Sequence, residues 1–272
     1  MSNSLLYITA LIYFSSTLVF LAYLFVRKDA LLSVARNLAA AGFAVHTIME
    51  VSLWAEAGRT PAGGLHESLA LFSWTTMAIY MYLLFRHRQK VLGAFVTPFA
   101  LLLLLTASIL PRRIIPLSPV LESYWLPVHV LFALFGNGFF ALAFFLGIMY
   151  VIQEHYLKTR KLAGLFFILP SLETLDEMNY RCLQIGFPLL TLAIITGAVW
   201  SEYALGSYWD WKPRQTWSLI TWFLYAALLH GRLTSGWRGK KAALFSGAAF
   251  MVLLASFIII NLALGAGHGF WN

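Results

Sequence analysis

The chain has 272 residues, of which 60% are hydrophobic and 11% charged, with a mean hydropathy of +0.76. Soluble domains are nearer 45–50% apolar and about 25% charged, so a water-soluble globular enzyme is excluded. The net charge of +8 fits either a nucleic-acid footprint or the anchoring charge of a membrane protein. The single cysteine excludes an internal disulfide framework and any CxxCH haem-attachment motif in this chain.

Eight stretches meet the requirement of about 20 mostly apolar residues for a membrane helix. In chain order they are 4–26, 34–54, 68–85, 91–110, 127–152, 183–203, 217–233 and 242–264. This predicts an all-α fold, a polytopic integral membrane protein of about eight transmembrane helices forming one domain over 1–272. The first stretch has no basic residue before it and carries Arg27 and Lys28 after it, which favours a retained span over a cleaved leader. Connectors 27–33, 86–90, 153–182 and 234–241, with their flanks, hold fourteen of the 19 Lys and Arg residues. The other side keeps Arg59, Arg112, Arg113, Lys212 and Arg214. The positive-inside rule places those four connectors in the cytoplasm and both termini outside. The basicity is therefore read as topology, with no nucleic-acid partner.

Two connectors interrupt the spans. Residues 111–126 contain three prolines and are expected outside as short interfacial pieces. Residues 162–182 contain Ser171, then Glu173, Asp176 and Glu177; a Ser N-cap with acids in the first turns predicts a short amphipathic cytoplasmic helix.

Between the sixth and seventh spans, residues 200–222 hold five of the ten tryptophans: Trp200, Trp209, Trp211, Trp217 and Trp222. An aromatic belt at the interface is the ordinary explanation for scattered tryptophans. The density here, punctuated by Gly206 and Pro213, instead suits an external aromatic platform for a large planar ligand such as a porphyrin.

This stretch resembles the WWD domain of haem-handling proteins of cytochrome c maturation, most closely the CcsA (ResC) family of system II. Further blocks resemble the family in its own order: HTIMEVSLWAEAGRTPAGGLHESLALFSW (46–74), WLPVHVLFALFGNGFFALAFFLGIMYVIQEHYLK (125–158), LDEMNYRCLQIGFPLLTLAIITGAVWSEYALGSYW (175–209), TWSLITWFLYAALLHGRLTSGWRGKKAA (216–243) and NLALGAGHGF (261–270). The likeness covers roughly residues 40 to 270. It departs where the family usually reads WGxYWxWDPKExWSLITW: Leu205 replaces a common Trp, and Lys212-Pro213-Arg214-Gln215 replaces Asp-Pro-Lys-Glu. The remaining acid is Asp210, shifted by two places.

The resemblance implies four haem-iron ligands. His46 and His230 match the intramembrane histidine pair of the family, and His129 and His268 match the pair flanking the external haem. Trp200, Trp209, Trp211, Trp217 and Asp210 fall in the haem-binding WWD segment, 200–217. Placement of His129 and His268 on the outer face, beside the tryptophans, follows independently from the charge map. His66, His87 and His155 read as ordinary helix-entry or solvated residues. Glu50, one turn after His46 on the same face, either accepts a His46 N–H or extends to the outer interface. Cys182 is expected at a cytoplasmic helix end in a structural role.

The implied function is transport of haem b across the membrane and its presentation to the CxxCH thiols of an apocytochrome c. This makes the chain part of a holocytochrome c synthase with a ResB/Ccs1-type membrane partner, in a bacterial inner membrane or an organellar equivalent. Three other readings stay open: a haem carrier of the CcmC type that does not ligate haem, a membrane diheme b-type subunit for electron transfer, and a non-catalytic membrane paralogue that regulates or assembles haem enzymes, which the departure at Lys212–Gln215 keeps alive.

Overall fold

The computed structural model describes residues 2–60, 64–87, 90–110, 123–160 and 164–266. Among them all regular structure is helical. Eight α-helices follow one another: α1 (Ser2–Val26), α2 (Asp29–Ala57), α3 (Leu65–His87), α4 (Gly93–Ile109), α5 (Trp125–Lys158), α6 (Leu172–Leu205), α7 (Pro213–Thr234) and α8 (Gly239–Ala266), with a 3₁₀ turn at Gly164–Phe167.

Six of the eight are long and apolar enough to cross a membrane, and the protein is an integral membrane protein. The two exceptions differ in kind. α4 is strongly apolar but has 17 residues, which at 1.5 Å per residue gives about 25 Å, short of the ~30 Å hydrocarbon core. α7 has 22 residues but includes Arg214, Gln215, His230 and Arg232.

The predicted amphipathic helix and the predicted sixth span form one helix, the 34-residue α6. Ser171 does start it: its hydroxyl accepts the Thr174 N–H at 3.2 Å. The polar opening turns run directly into the apolar stretch because nothing between them breaks the helix. Pro188 lies inside α6; it removes one backbone donor, which a packed membrane helix tolerates.

The helices form two compact units. α1 to α4, residues 151–158 of α5, the 3₁₀ turn and the first three residues of α6 make one; residues 125–150 of α5 with the rest of α6, α7 and α8 make the other. In the first unit, Tyr13, Phe20, Met49, Met77, Tyr80 and Leu104 are fully buried. Polar side chains cross-link its helices. Ser16 donates to the Ala35 carbonyl (2.9 Å), Ser73 to the Ala100 carbonyl (2.8 Å), and the Trp74 indole to Thr47 Oγ1 (2.9 Å). Bonds of this kind between membrane helices contribute about 0.6 kcal/mol each. At the start of α3, Arg59 and Glu67 form a buried two-pronged ion pair, 3.0 and 3.3 Å.

In the second unit the helices approach closely at small residues, the usual device where no hydrophobic effect drives association in lipid. A Cβ on Gly136 of α5 would come within 3.1 Å of the Leu190 backbone nitrogen of α6, and one on Gly147 within 3.1 Å of the Ala243 carbonyl of α8. Asn179 donates to the Ala143 carbonyl and to Ser246 Oγ at 2.7 and 3.1 Å. At the junction of α7 and α8, Asp176 accepts both Arg232 nitrogens (3.0 and 2.8 Å) and the Gly239 N–H (2.8 Å), while the guanidinium lies 4.5 Å over the Tyr180 ring.

Candidate haem-handling site

His129 enters near the start of α5, and its Nδ1 lies 2.7 Å from the Ala193 carbonyl of α6. A carbonyl only accepts, so Nδ1 carries the proton and Nε2 presents a bare lone pair. That is the tautomer a metal-ligating imidazole needs. The ring fits because residue 197 is glycine: a Cβ there would lie 2.7 Å from His129 Nδ1. Ala193, Gly197, Trp200 and Ala204 follow one face of α6 at helical spacing. Trp200 and Leu126 pack on Ala204, so this face carries His129 and the first tryptophan of the cluster together.

Beyond Trp200, α6 ends at Gly206 in the left-handed region (φ +74°), with its N–H donating to the Glu202 carbonyl at 2.9 Å. The chain then turns through the aromatic segment. Trp209 and Trp211 meet edge to face, centroids 5.9 Å apart. Trp211 is exposed and has a φ of +55°, rare for a residue with a Cβ. Trp217, on the first turns of α7, is also exposed. Trp222 is different: its indole donates to Thr191 Oγ1 at 2.9 Å and its ring packs on Phe187, so it holds α7 to α6.

The unusual Lys212-Pro213-Arg214-Gln215 stretch forms the start of α7. Gln215 Oε1 accepts the backbone N–H groups of Asp210 (2.9 Å) and Lys212 (3.3 Å), the reciprocal half of a capping box, which Glu or Gln can supply equally. Pro213 occupies the first helical position, where its missing donor costs nothing. Asp210 pairs with Lys212 at 3.2 Å. A hydrogen bond from the Ser207 hydroxyl, followed by one from Lys212, holds the Asp210 carboxyl below the usual carboxylate range.

His46 sits in the first unit, fully buried on α2. The Tyr13 hydroxyl of α1 is 3.2 Å from its Nδ1, and Glu50 Oε1 is 3.4 Å from its Nε2. Glu50 is itself buried, beside the histidine and away from any surface. Neither Glu50 oxygen nor His46 Nε2 has a hydrogen-bond partner of proper geometry among the described residues. His230, on α7 in the second unit, is exposed, and its backbone carbonyl accepts the Thr234 hydroxyl. His268 lies outside the described residues.

Of the histidines read as ordinary, His155 is exposed on α5. His66 is buried and bonds the Ala107 carbonyl of α4 at 2.7 Å, a cross-link between α3 and α4. Cys182 is not at a helix end: it is buried within α6, because that helix starts ten residues before it. Gly197 and Gln215 carry the geometry around His129 and the tryptophans. Gln215 is readable from its position three after a helix start; Gly197 has no local signal.

Within the second unit, the His129 imidazole with Nε2 unprotonated and the cluster of indole rings suit an iron porphyrin; within the first, the orphaned Nε2 of His46 by itself suits iron. Among the described residues no three His, Cys, Asp or Glu side chains converge as a chelating group would require; single imidazoles of this kind match axial ligation.

The cytochrome C assembly protein family model matches residues 62–266. The chain is 36% identical over 247 residues to the cytochrome c biogenesis protein CcsA of Trieres chinensis, covering 79% of each chain. It is 35% identical to that of Guillardia theta, over 81% of this chain and 79% of the relative. With CcsA of Microcystis aeruginosa it shares 32% identity over 79% and 80%. A solved structure of the cytochrome c heme lyase CcmF superposes with a TM-score of 0.68 over 96% of this chain at 17% identity, showing the same fold. The chain spans about half (49%) of that protein's length. Matched helices, ordered sequence blocks and these relatives agree: the chain belongs to the cytochrome c assembly protein family, in its CcsA branch.

Proposed function

We propose that this protein, acting in cytochrome c maturation, moves haem b across the membrane and presents it for covalent attachment to apocytochromes c. The observation that carries the reading is the His129 lock. An imidazole with Nδ1–H committed to a backbone carbonyl, lying on the α6 face that bears Trp200, is prepared to hold iron axially. When bound, haem supplies the iron and the two vinyl groups that become thioethers. The chain's own part is orientation: His129 and His268 hold the iron, and Trp200, Trp209, Trp211 and Trp217 hold the ring plane. Two bonds to one rigid macrocycle form readily only when both partners are positioned beforehand.

His46 and His230 serve the same cargo within the membrane, before transfer to the external pair. The positive-inside distribution supports an orientation with the tryptophan segment and both termini outside. A ResB/Ccs1-type subunit is the partner in this reading, supplying the surface on which the apocytochrome docks.

Co-expression with a ResB-type subunit and a CxxCH reporter, in cells without their own maturation system, tests the proposal. Covalent haem on the reporter is the expected result. Normal haem binding with no covalent product would instead favour a carrier or an electron-transfer subunit.

A further inference from the structure

We propose that Tyr13 and Glu50 govern which ring nitrogen of His46 bears the proton, and thereby whether Nε2 is open to iron. The consequence for haem rests on the reading of His46 as a ligand; the tautomer itself does not. Three residues of α2 at helical spacing, Gly42, His46 and Glu50, share one buried face. Gly42 makes room for Tyr13: a Cβ at position 42 would lie 2.6 Å from Tyr13 Cε1. The tyrosine ring therefore lies across α2 and meets His46 edge-on, with centroids 5.7 Å apart, bringing its hydroxyl to Nδ1. On the other side of the imidazole, the buried Glu50 carboxyl group faces Nε2 and has no hydrogen-bond donor among the described residues.

Two arrangements are open to these groups, and only the first gives Glu50 a donor. In one, the Tyr13 O–H donates to Nδ1 and Nε2 keeps its proton toward Glu50, which blocks coordination. In the other, Nδ1–H donates to the Tyr13 oxygen and Nε2 is bare. The exchange moves one proton from Nε2 to Nδ1 and turns the Tyr13 hydroxyl from donor to acceptor, with no change in net charge. Glu50 favours the first arrangement, since its oxygen 3.4 Å from Nε2 faces a donor there and a lone pair in the second. Tyr13 makes the second possible, since without it a buried Nδ1–H has no acceptor. Tyr13 is thus a positioning residue, and Glu50 holds the haem-free ring closed.

The test uses the full chain in lipid, ¹⁵N-labelled at histidine, with the His46 resonances identified by their loss in His46→Gln. The haem-free protein is expected to carry the proton on Nε2. Glu50→Gln should move population toward Nδ1–H and raise haem retention at limiting haem severalfold. Tyr13→Phe should keep Nε2–H and lower retention by about tenfold, the scale of a lost outer-shell partner. Gly42→Ala, which crowds Tyr13 while leaving its hydroxyl, should follow Tyr13→Phe. Opposite signs for Glu50→Gln and Tyr13→Phe are the signature, since a merely structural role would lower both. A wild-type ring already protonated on Nδ1, or two variants shifting the same way, overturns the proposal. If the tautomers behave as stated but haem retention is unchanged even in His46→Gln, the switch stands and the ligand reading of His46 fails.

Discussion

His129 and His46 are both imidazoles on apolar helices, yet their Nδ1 partners differ in one decisive respect. His129 faces a backbone carbonyl, which only accepts, so its tautomer is permanent. His46 faces a tyrosine hydroxyl, which donates or accepts, so its tautomer is reversible. A fixed imidazole suits a station where cargo must be held in one orientation during chemistry. A reversible one suits a station that takes cargo up and gives it away.

The contrast can be broken or sharpened by experiment. The largest effect is expected from His129→Gly, which removes the fixed imidazole. Reporter cytochrome should fall to background while added imidazole restores the haem spectrum of the purified protein, and an unchanged spectrum without imidazole would end the assignment. Next comes the scaffold of the second unit. Arg232→Ala leaves Asp176 without its guanidinium and should cost about 3 kcal/mol, as for other broken buried pairs. Thermal unfolding in detergent would register this, with the His46 tautomer unaltered.

Gly197→Ala should push the His129 ring off α6 and weaken haem retention by about tenfold. Alanine is the better helix former by about 1 kcal/mol, so undiminished thermal stability would assign that loss to the ring and not to folding. Gln215→Ala removes the acceptor at the start of α7 and should cost about 1 kcal/mol, whereas Gln215→Glu should be close to neutral.

The smallest effect concerns Asp210. Its folded pKa is depressed, so the stabilisation it gives is complete above the unfolded carboxyl value and disappears as pH falls through the folded one. Acid should therefore alter the fluorescence of Trp209 and Trp211 in the wild type and much less in Asp210→Asn.

The apolar spans were legible because membrane helices announce themselves by continuous hydrophobicity, and Ser171 announced the start of α6. The continuity of α6 was not legible: polar first turns and an apolar remainder read as two elements when no breaker separates them. His46 and His129 stood out as polar groups in apolar stretches. Their partners did not, since Tyr13 lies 33 residues from His46 and Ala193 lies 64 from His129. Only packing brings such pairs together, and Gly42 and Gly197 mark the contacts by what they lack.

Trp211 adds a last consequence. Its backbone occupies a region that glycine adopts freely and tryptophan does not, at a cost of order 1 kcal/mol. Nothing in the turn itself demands an indole there, and an exposed ring recovers little of that cost through burial. Trp211→Gly is therefore expected to make the loop more stable and the protein worse at its task. On the proposed reading, the backbone at this position gives up stability for the surface it offers to a ligand.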